Sequence, residues 1–357
     1  MPSFPIFSTL RRASYLRQSF FTYFLLFTSG IASGSSFKAT RIQELEPLEF
    51  FFPEALAEDG TVGGYTRRSS TSFPSNLATI WGLDGVPRAL PIDGPYASAD
   101  IRGFTPGGQP VGNFGRIGQY PNVPVVWDMD ELTQLSDFGS GGIAVTSNHS
   151  IIFGQTFDTV EGIGITRIVA TLWNNGVATR ITGLSQVDSV AADIRSDGVY
   201  VGITLDINDP VYYGGFIGRN GTAQRFNFPN FPATRGYEIN DSGWFTGVYE
   251  PTRALQRGYV ARIDLDTGTQ EIHDLGLFDI YDETWAYAIN NDNTIVGAAA
   301  DGPNGDFEVA LIWLNGSRTP LDLNPMVTDL PAGVQLINAY RINNAGQILA
   351  EARFNDG

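Results

Sequence analysis

The chain repeats itself about every 47 residues. Its clearest phrase is Ala288-Ile289-Asn290-Asn291-Asp292-Asn293-Thr294-Ile295-Val296-Gly297. Close copies are Ile239-Asn240-Asp241-Ser242-Gly243 running to Gly247, and Ile342-Asn343-Asn344-Ala345-Gly346 running to Ala350. Looser copies end at Gly64, Gly112, Gly154 and Gly202, so successive copies are spaced by 48, 42, 48, 45, 50 and 53 residues. Seven copies at that period predict an all-β fold, a β-propeller of six or seven four-stranded blades, because one such sheet cannot bury both its faces without neighbours.

One repeat reads as one blade. Ala286–Ile289 alternates as a short first strand, and Asn290–Asn293 forms a turn, since Asn and Asp tolerate positive φ and bond their own backbone. Gly198, Gly243 and Gly346 take the equivalent place in other copies. The closing Gly is expected to remove a side chain where inner strands of neighbouring blades crowd. Val309–Trp313 is a third strand, and Asn315-Gly316 is the dipeptide of a type I′ hairpin turn leading into a fourth. Trp81, Trp127, Trp173 and Trp313 recur in one phase on the third strands, which predicts packing between adjacent sheets.

The ring must also close. The seventh copy supplies only two strands before Gly357, and Thr40–Leu48 has the pattern of a strand ahead of the first copy. This N-terminal strand is expected to join the last blade and pin the ring shut. One further strand is then unaccounted for, which leaves the blade number at six or seven.

Residues 1–34 differ from the rest. They carry Arg11, Arg12 and Arg17 with no acid, then the apolar run Phe20–Phe27, then small residues to Gly34. That order predicts a secretory signal peptide over 1–34 and a propeller over 35–357, hence a secreted or cell-envelope protein with no membrane span once the signal is removed. Without it the formal charge falls from −16 to −19, which disfavours nucleic acid and anionic lipid as partners. The chain has no Cys and two His, His149 and His273. Disulfides and Cys-ligated metal are excluded, and a Ser-His-Asp triad has little support. No cofactor or metal motif is present; Asn290–Asn293 lacks the acidic spacing of a calcium loop.

The phrase Ala-x-x-Ile-Asn-x-x-Gly-x-x-x-Gly, the Leu-Ile-Trp-x-x-Gly that follows it and His273-Asp274-Leu275-Gly276 resemble the HAF-repeat family of extracellular bacterial proteins. The resemblance covers residues 38–357 and is strongest in copies five to seven; copies two and three depart from it, with Thr146-Ser147 where Ile-Asn is expected. It implies export and a propeller-like fold, and it carries over no activity and no functional residues.

Loops between strands two and three, and between the fourth strand and the next blade, share one face around the channel mouth, where repeat scaffolds place their variable sites. The segment Phe278-Asp279-Ile280-Tyr281-Asp282-Glu283-Thr284-Trp285 sets aromatic faces beside carboxylates, as a sugar or a cationic ligand requires. Phe278, Asp279, Tyr281, Asp282 and Trp285 are its candidate contacts. Arg67, Arg68, Arg116, Arg253 and Arg257 are expected in the loops between strands two and three, as candidates for lining an anion-binding mouth. The expected function is a non-enzymatic module binding a carbohydrate, a surface protein or another envelope component; the alternative is a propeller hydrolase or lyase acting on polysaccharide.

Overall fold

The computed structural model describes residues 21–28, 36–45, 50–68, 75–92, 97–116, 122–128, 131–136, 142–147, 151–160, 164–184, 187–206, 213–226, 228–252, 255–302 and 307–354. Among these, seven antiparallel four-stranded sheets form the blades. Blades one to six are each built from consecutive strands, spanning 50–89, 97–134, 142–180, 188–226, 235–274 and 283–322. The first strands of successive blades pack on each other and are innermost. The hairpin turns carry the expected dihedrals: Asn175, Asn220 and Asn315 have φ of 49°, 54° and 49°, each followed by a Gly near 77°.

Blade seven mixes the two ends of the chain. Its two inner strands are Val334–Ile342 and Ile348–Phe354, its outer strand is Phe37–Arg41, and between them lies Phe21–Thr28. The N-terminal closure is therefore as expected in kind but shifted in position. The outer strand ends at Arg41, and Ile42–Leu45 of the predicted Thr40–Leu48 strand instead turn toward blade one, where Gln43 N–H donates to Gly85 O at 2.9 Å. The strand that sequence periodicity left unaccounted for is the apolar run assigned to the signal peptide. A boundary at residue 34 thus cuts through the last blade rather than between two units.

Every first strand carries a register shift just past the residue opposite the closing small residue, as at Ala286/Ala288, where Ala286 faces Gly297. The bulge swings a carbonyl under that position: a Cβ on Gly297 would stand 1.7 Å from Trp285 O, and one on Gly112 would stand 2.0 Å from Asp100 O. The crowding that demands glycine comes from the blade's own first strand, not from neighbouring blades.

The four phased tryptophans are fully buried. Three also act as hooks, since the indole N–H of Trp81, Trp173 and Trp313 donates to Gln43 O, Ser136 O and Leu275 O just past the outer strand of the preceding blade. On the face opposite the mouth, the Asn of the repeated phrase links blades. Asn240, Asn290 and Asn343 donate through Nδ2 to Asn290 O, Asn343 O and Ala57 O at 3.0, 3.3 and 2.9 Å. The next residue adds a second rung: Asn291 Oδ1 accepts from Asp241 N, and Asn344 Oδ1 from Asn291 N. Blade two, where the phrase degenerates, has Thr105, whose Oγ1 accepts from Gln109 N inside its own turn.

Candidate ligand site at the channel mouth

The segment Phe278–Trp285 does not present its aromatic faces as a group. Trp285 is 5% exposed and meets Phe307 edge-on, with ring centroids 4.9 Å apart. Phe278 and Tyr281 lie parallel at 6.4 Å and pack on the blade-six core around Leu275 and Trp313. Asp279 adopts φ of 50° at the turn, and Asp282 Oδ1 accepts from Gly302 N at 2.6 Å. These residues shape the rim; the exposed residues among them are Asp279 and Ile280, the latter at 82%.

The arginines separate as well. Arg67 is the penultimate residue of the second strand of blade one, with its Nε 3.4 Å from Asn76 Oδ1 and its guanidinium 5.7 Å from the Phe52 ring centroid. Arg68 and Arg116 close the second strands of blades one and two, with backbones opposite Ser75 and Ala97. Arg253 lies outside the described residues. Arg257 pairs with Asp274 on the outer strand of its own blade, at 3.4 Å. No described contact joins Arg67 to Phe278–Trp285.

Around Arg67 the structure assembles a group that the sequence did not single out. Phe50 and Phe52 share one face of the first strand of blade one; Phe50 is 66% exposed, and Phe52 stacks on Tyr65 at 4.8 Å and 24°. Arg102 of blade two lies 5.9 Å over the Tyr65 ring. A polar chain runs beside this platform: Asn76 Nδ2 donates to Asp100 Oδ1 at 2.8 Å, Arg102 donates to Asp100 Oδ2 at 3.0 Å, and its other arm pairs with Glu54. Burial raises the Glu54 pKa even though Arg102 opposes it. Burial likewise works against the charge of Arg102, and Glu54 and Asp100 more than restore it. The result is a stacked aromatic platform, open at Phe50, edged by two guanidiniums, an amide and two carboxylates.

Glu54 and Arg102 occupy the bulge position of their strands. Tyr237, Tyr287 and Tyr340 occupy it in blades five, six and seven. That shared phase after the closing-Gly partner is the signal that could have marked these residues as channel-lining. One position further on, Asp193 and Glu238 also face inward, with pKa values raised by burial and, for Glu238, by Asp193. Each is held by its neighbours. Asp193 accepts from Thr146 Oγ1, Ile194 N and Ile239 N, and Glu238 accepts from Ile289 N. Glu283, 1% exposed, accepts from Gln256 N through Oε1 while its Oε2 has no partner among the described residues; burial pushes its pKa up to about 7. Arg235, which reaches Gln256 Oε1 at 3.4 Å, pairs with Glu250 and lies 3.9 Å over the Tyr213 ring. His273 sits on an outer strand beside Glu271 and Arg318, away from all of these carboxyls. Among the described residues no group of three or more His, Cys, Asp or Glu is placed to hold a metal ion.

The described residues thus form a β-propeller of seven four-stranded sheets with a candidate site at its channel mouth. Its fold is similar to that of a putative TolB from Agrobacterium tumefaciens, with a TM-score of 0.50 at 12% identity over 94% of this chain and 98% of that one. It is also similar to part of a prolyl endopeptidase (TM-score 0.57, 9% identity, 83% of this chain and 45% of that one) and of the acylaminoacyl peptidase of Pyrococcus horikoshii (0.50, 14%, 76% and 45%). The chain spans less than half the length of those two peptidases. At such identities the likeness concerns the fold alone. No family model matches the chain, and no curated protein does.

Proposed function

We propose that this protein is a non-enzymatic binding propeller that takes a carbohydrate at the channel mouth between blades one and two. The observation that carries this reading is the open aromatic platform of Phe50, Phe52 and Tyr65, set beside Arg67, Arg102, Asn76 and Asp100. Sugars offer apolar faces that stack on aromatic rings and hydroxyls that pair with planar polar groups, and the platform supplies both. Binding is favoured over hydrolysis or lyase chemistry because Glu54, Asp193 and Glu238 are held in bonds between blades, and Glu283, although its Oε2 has no partner among the described residues, is buried at 1% exposure. A glycosidase needs a free acid and a second carboxylate across the bond to be cleaved. The basic, apolar and small order of the first 34 residues supports an extracytoplasmic place of action.

A glycan array followed by titration calorimetry tests the proposal. Phe50→Ala and Tyr65→Ala should each weaken binding by about 1–3 kcal/mol, the range for losing a contact aromatic. Phe50→Ala should leave the melting temperature unchanged because the ring is exposed. Carbohydrate binding that neither substitution alters would overturn the assignment of the site, and an array with no binding would overturn the ligand class.

A further inference from the structure

Phe21–Thr28 lies between two partners. It pairs with Ile348–Arg353 over six residues and with Phe37–Arg41 over five, so both of its edges are satisfied. Tyr23 is 5% exposed, with its ring 5.4 Å from Phe51 and 6.3 Å from Tyr340. It shares a core cluster with Phe51, Val62 and Trp81 of blade one and Leu349 of blade seven, and its carbonyl accepts from Ile42 N at 2.9 Å. The segment therefore fills the seam where the ring closes. We infer that Phe21–Thr28 is a permanent part of the folded protein, so that any removal of N-terminal residues stops before Phe21.

The physical ground is what removal would leave behind. Ile348–Phe354 is buried along nearly its whole length and would expose a row of unpaired backbone groups. Phe37–Arg41 would lose the one strand it pairs with among the described residues, and with it the sheet that holds it. The Phe51–Trp81 contact, with centroids 6.1 Å apart, would lose the ring that covers it. The same apolar run can serve an export machinery while extended and unfolded and later become a central strand, since both uses require only a short, uncharged, apolar stretch.

The test uses the full chain with a C-terminal affinity tag, produced in a secreting bacterial host. Intact mass of the folded product should include residues 21–28, and hydrogen exchange should find the amides of that segment protected as strongly as those of Ile348–Phe354. A chain beginning at residue 20 should melt with the full chain. One beginning at residue 35 should melt about 10 °C or more lower, or fail to give soluble monomer. Because the shorter chain may not fold, exchange in the full chain decides. A folded product starting between residues 29 and 36, fast exchange of 21–28 beside a protected blade seven, or equal melting of both shortened chains would overturn the inference.

Discussion

At the scale of single residues, the repeated phrase is a set of solutions to local problems rather than a functional signature. Its Asn closes its own turn through Oδ1, which accepts from Asp292 N and Thr294 N in blade six, while Nδ2 crosses to the next blade. Glu283 is the opposite case, a buried carboxyl with one oxygen unpartnered among the described residues. At pH below its ordinary value of about 4.5 it is neutral whether the chain is folded or not, and it costs nothing. As pH rises toward 7 the unfolded chain ionises first, so stability falls through that window and levels off above it, by about 3 kcal/mol at most. Glu283→Gln keeps the acceptor for Gln256 N and removes the charge. Denaturant melts should therefore show the variant more stable than the parent at pH 8 and equal to it near pH 4.5; a pH-independent difference would reject the raised value.

At the scale of elements, the bulge and its glycine form one device. Gly297→Ala should cost about 3 kcal/mol or more, because the methyl meets backbone, which cannot rotate away. Gly268→Ala, at an open turn with φ of 72° and nothing within 4 Å of the new methyl, should cost only about 1 kcal/mol. Thermal melts of the two variants check the contrast, and equal losses would mean that the bulge relaxes. The tryptophan hooks allow a similar comparison. Trp313→Phe strips a buried carbonyl of its donor and should destabilise by about 1–3 kcal/mol beyond its packing loss. Trp127, whose indole nitrogen has no partner among the described residues, should lose less on the same change. Urea titrations that rank Trp127→Phe as the costlier would contradict the hook.

At the scale of the whole molecule, closure depends on contacts between residues some 290 to 330 positions apart. Ala39 N donates to Asp329 Oδ1, Tyr340 Oη to Pro53 O, and the asparagine ladder passes from blade seven to blade one through Asn343 and Asn344 to Ala57 and Glu58. Among the described residues, only the pairing of Phe21–Thr28 with Ile348–Phe354 joins strands that are not sequence neighbours, and the repeat period says nothing about it. An apolar run of eight residues after three arginines has the same composition as a signal core and as a buried strand. The folded structure pairs this run with Ile348–Arg353, a contact that composition does not encode.

What the sequence determined by itself was whatever recurs. The blade unit, its turns, the phased tryptophans and the repeated Asn each rest on interactions within about one repeat, and seven copies average out the noise of any single one. Tertiary structure decided what occurs once. The strand that completes blade seven, the burial of Trp285 and the meeting of Phe52, Tyr65 and Arg102 across two blades are set by how sheets pack around an axis. A binding surface on a repeat scaffold is made from departures from the repeat, and their positions relative to one another exist only when the ring is closed.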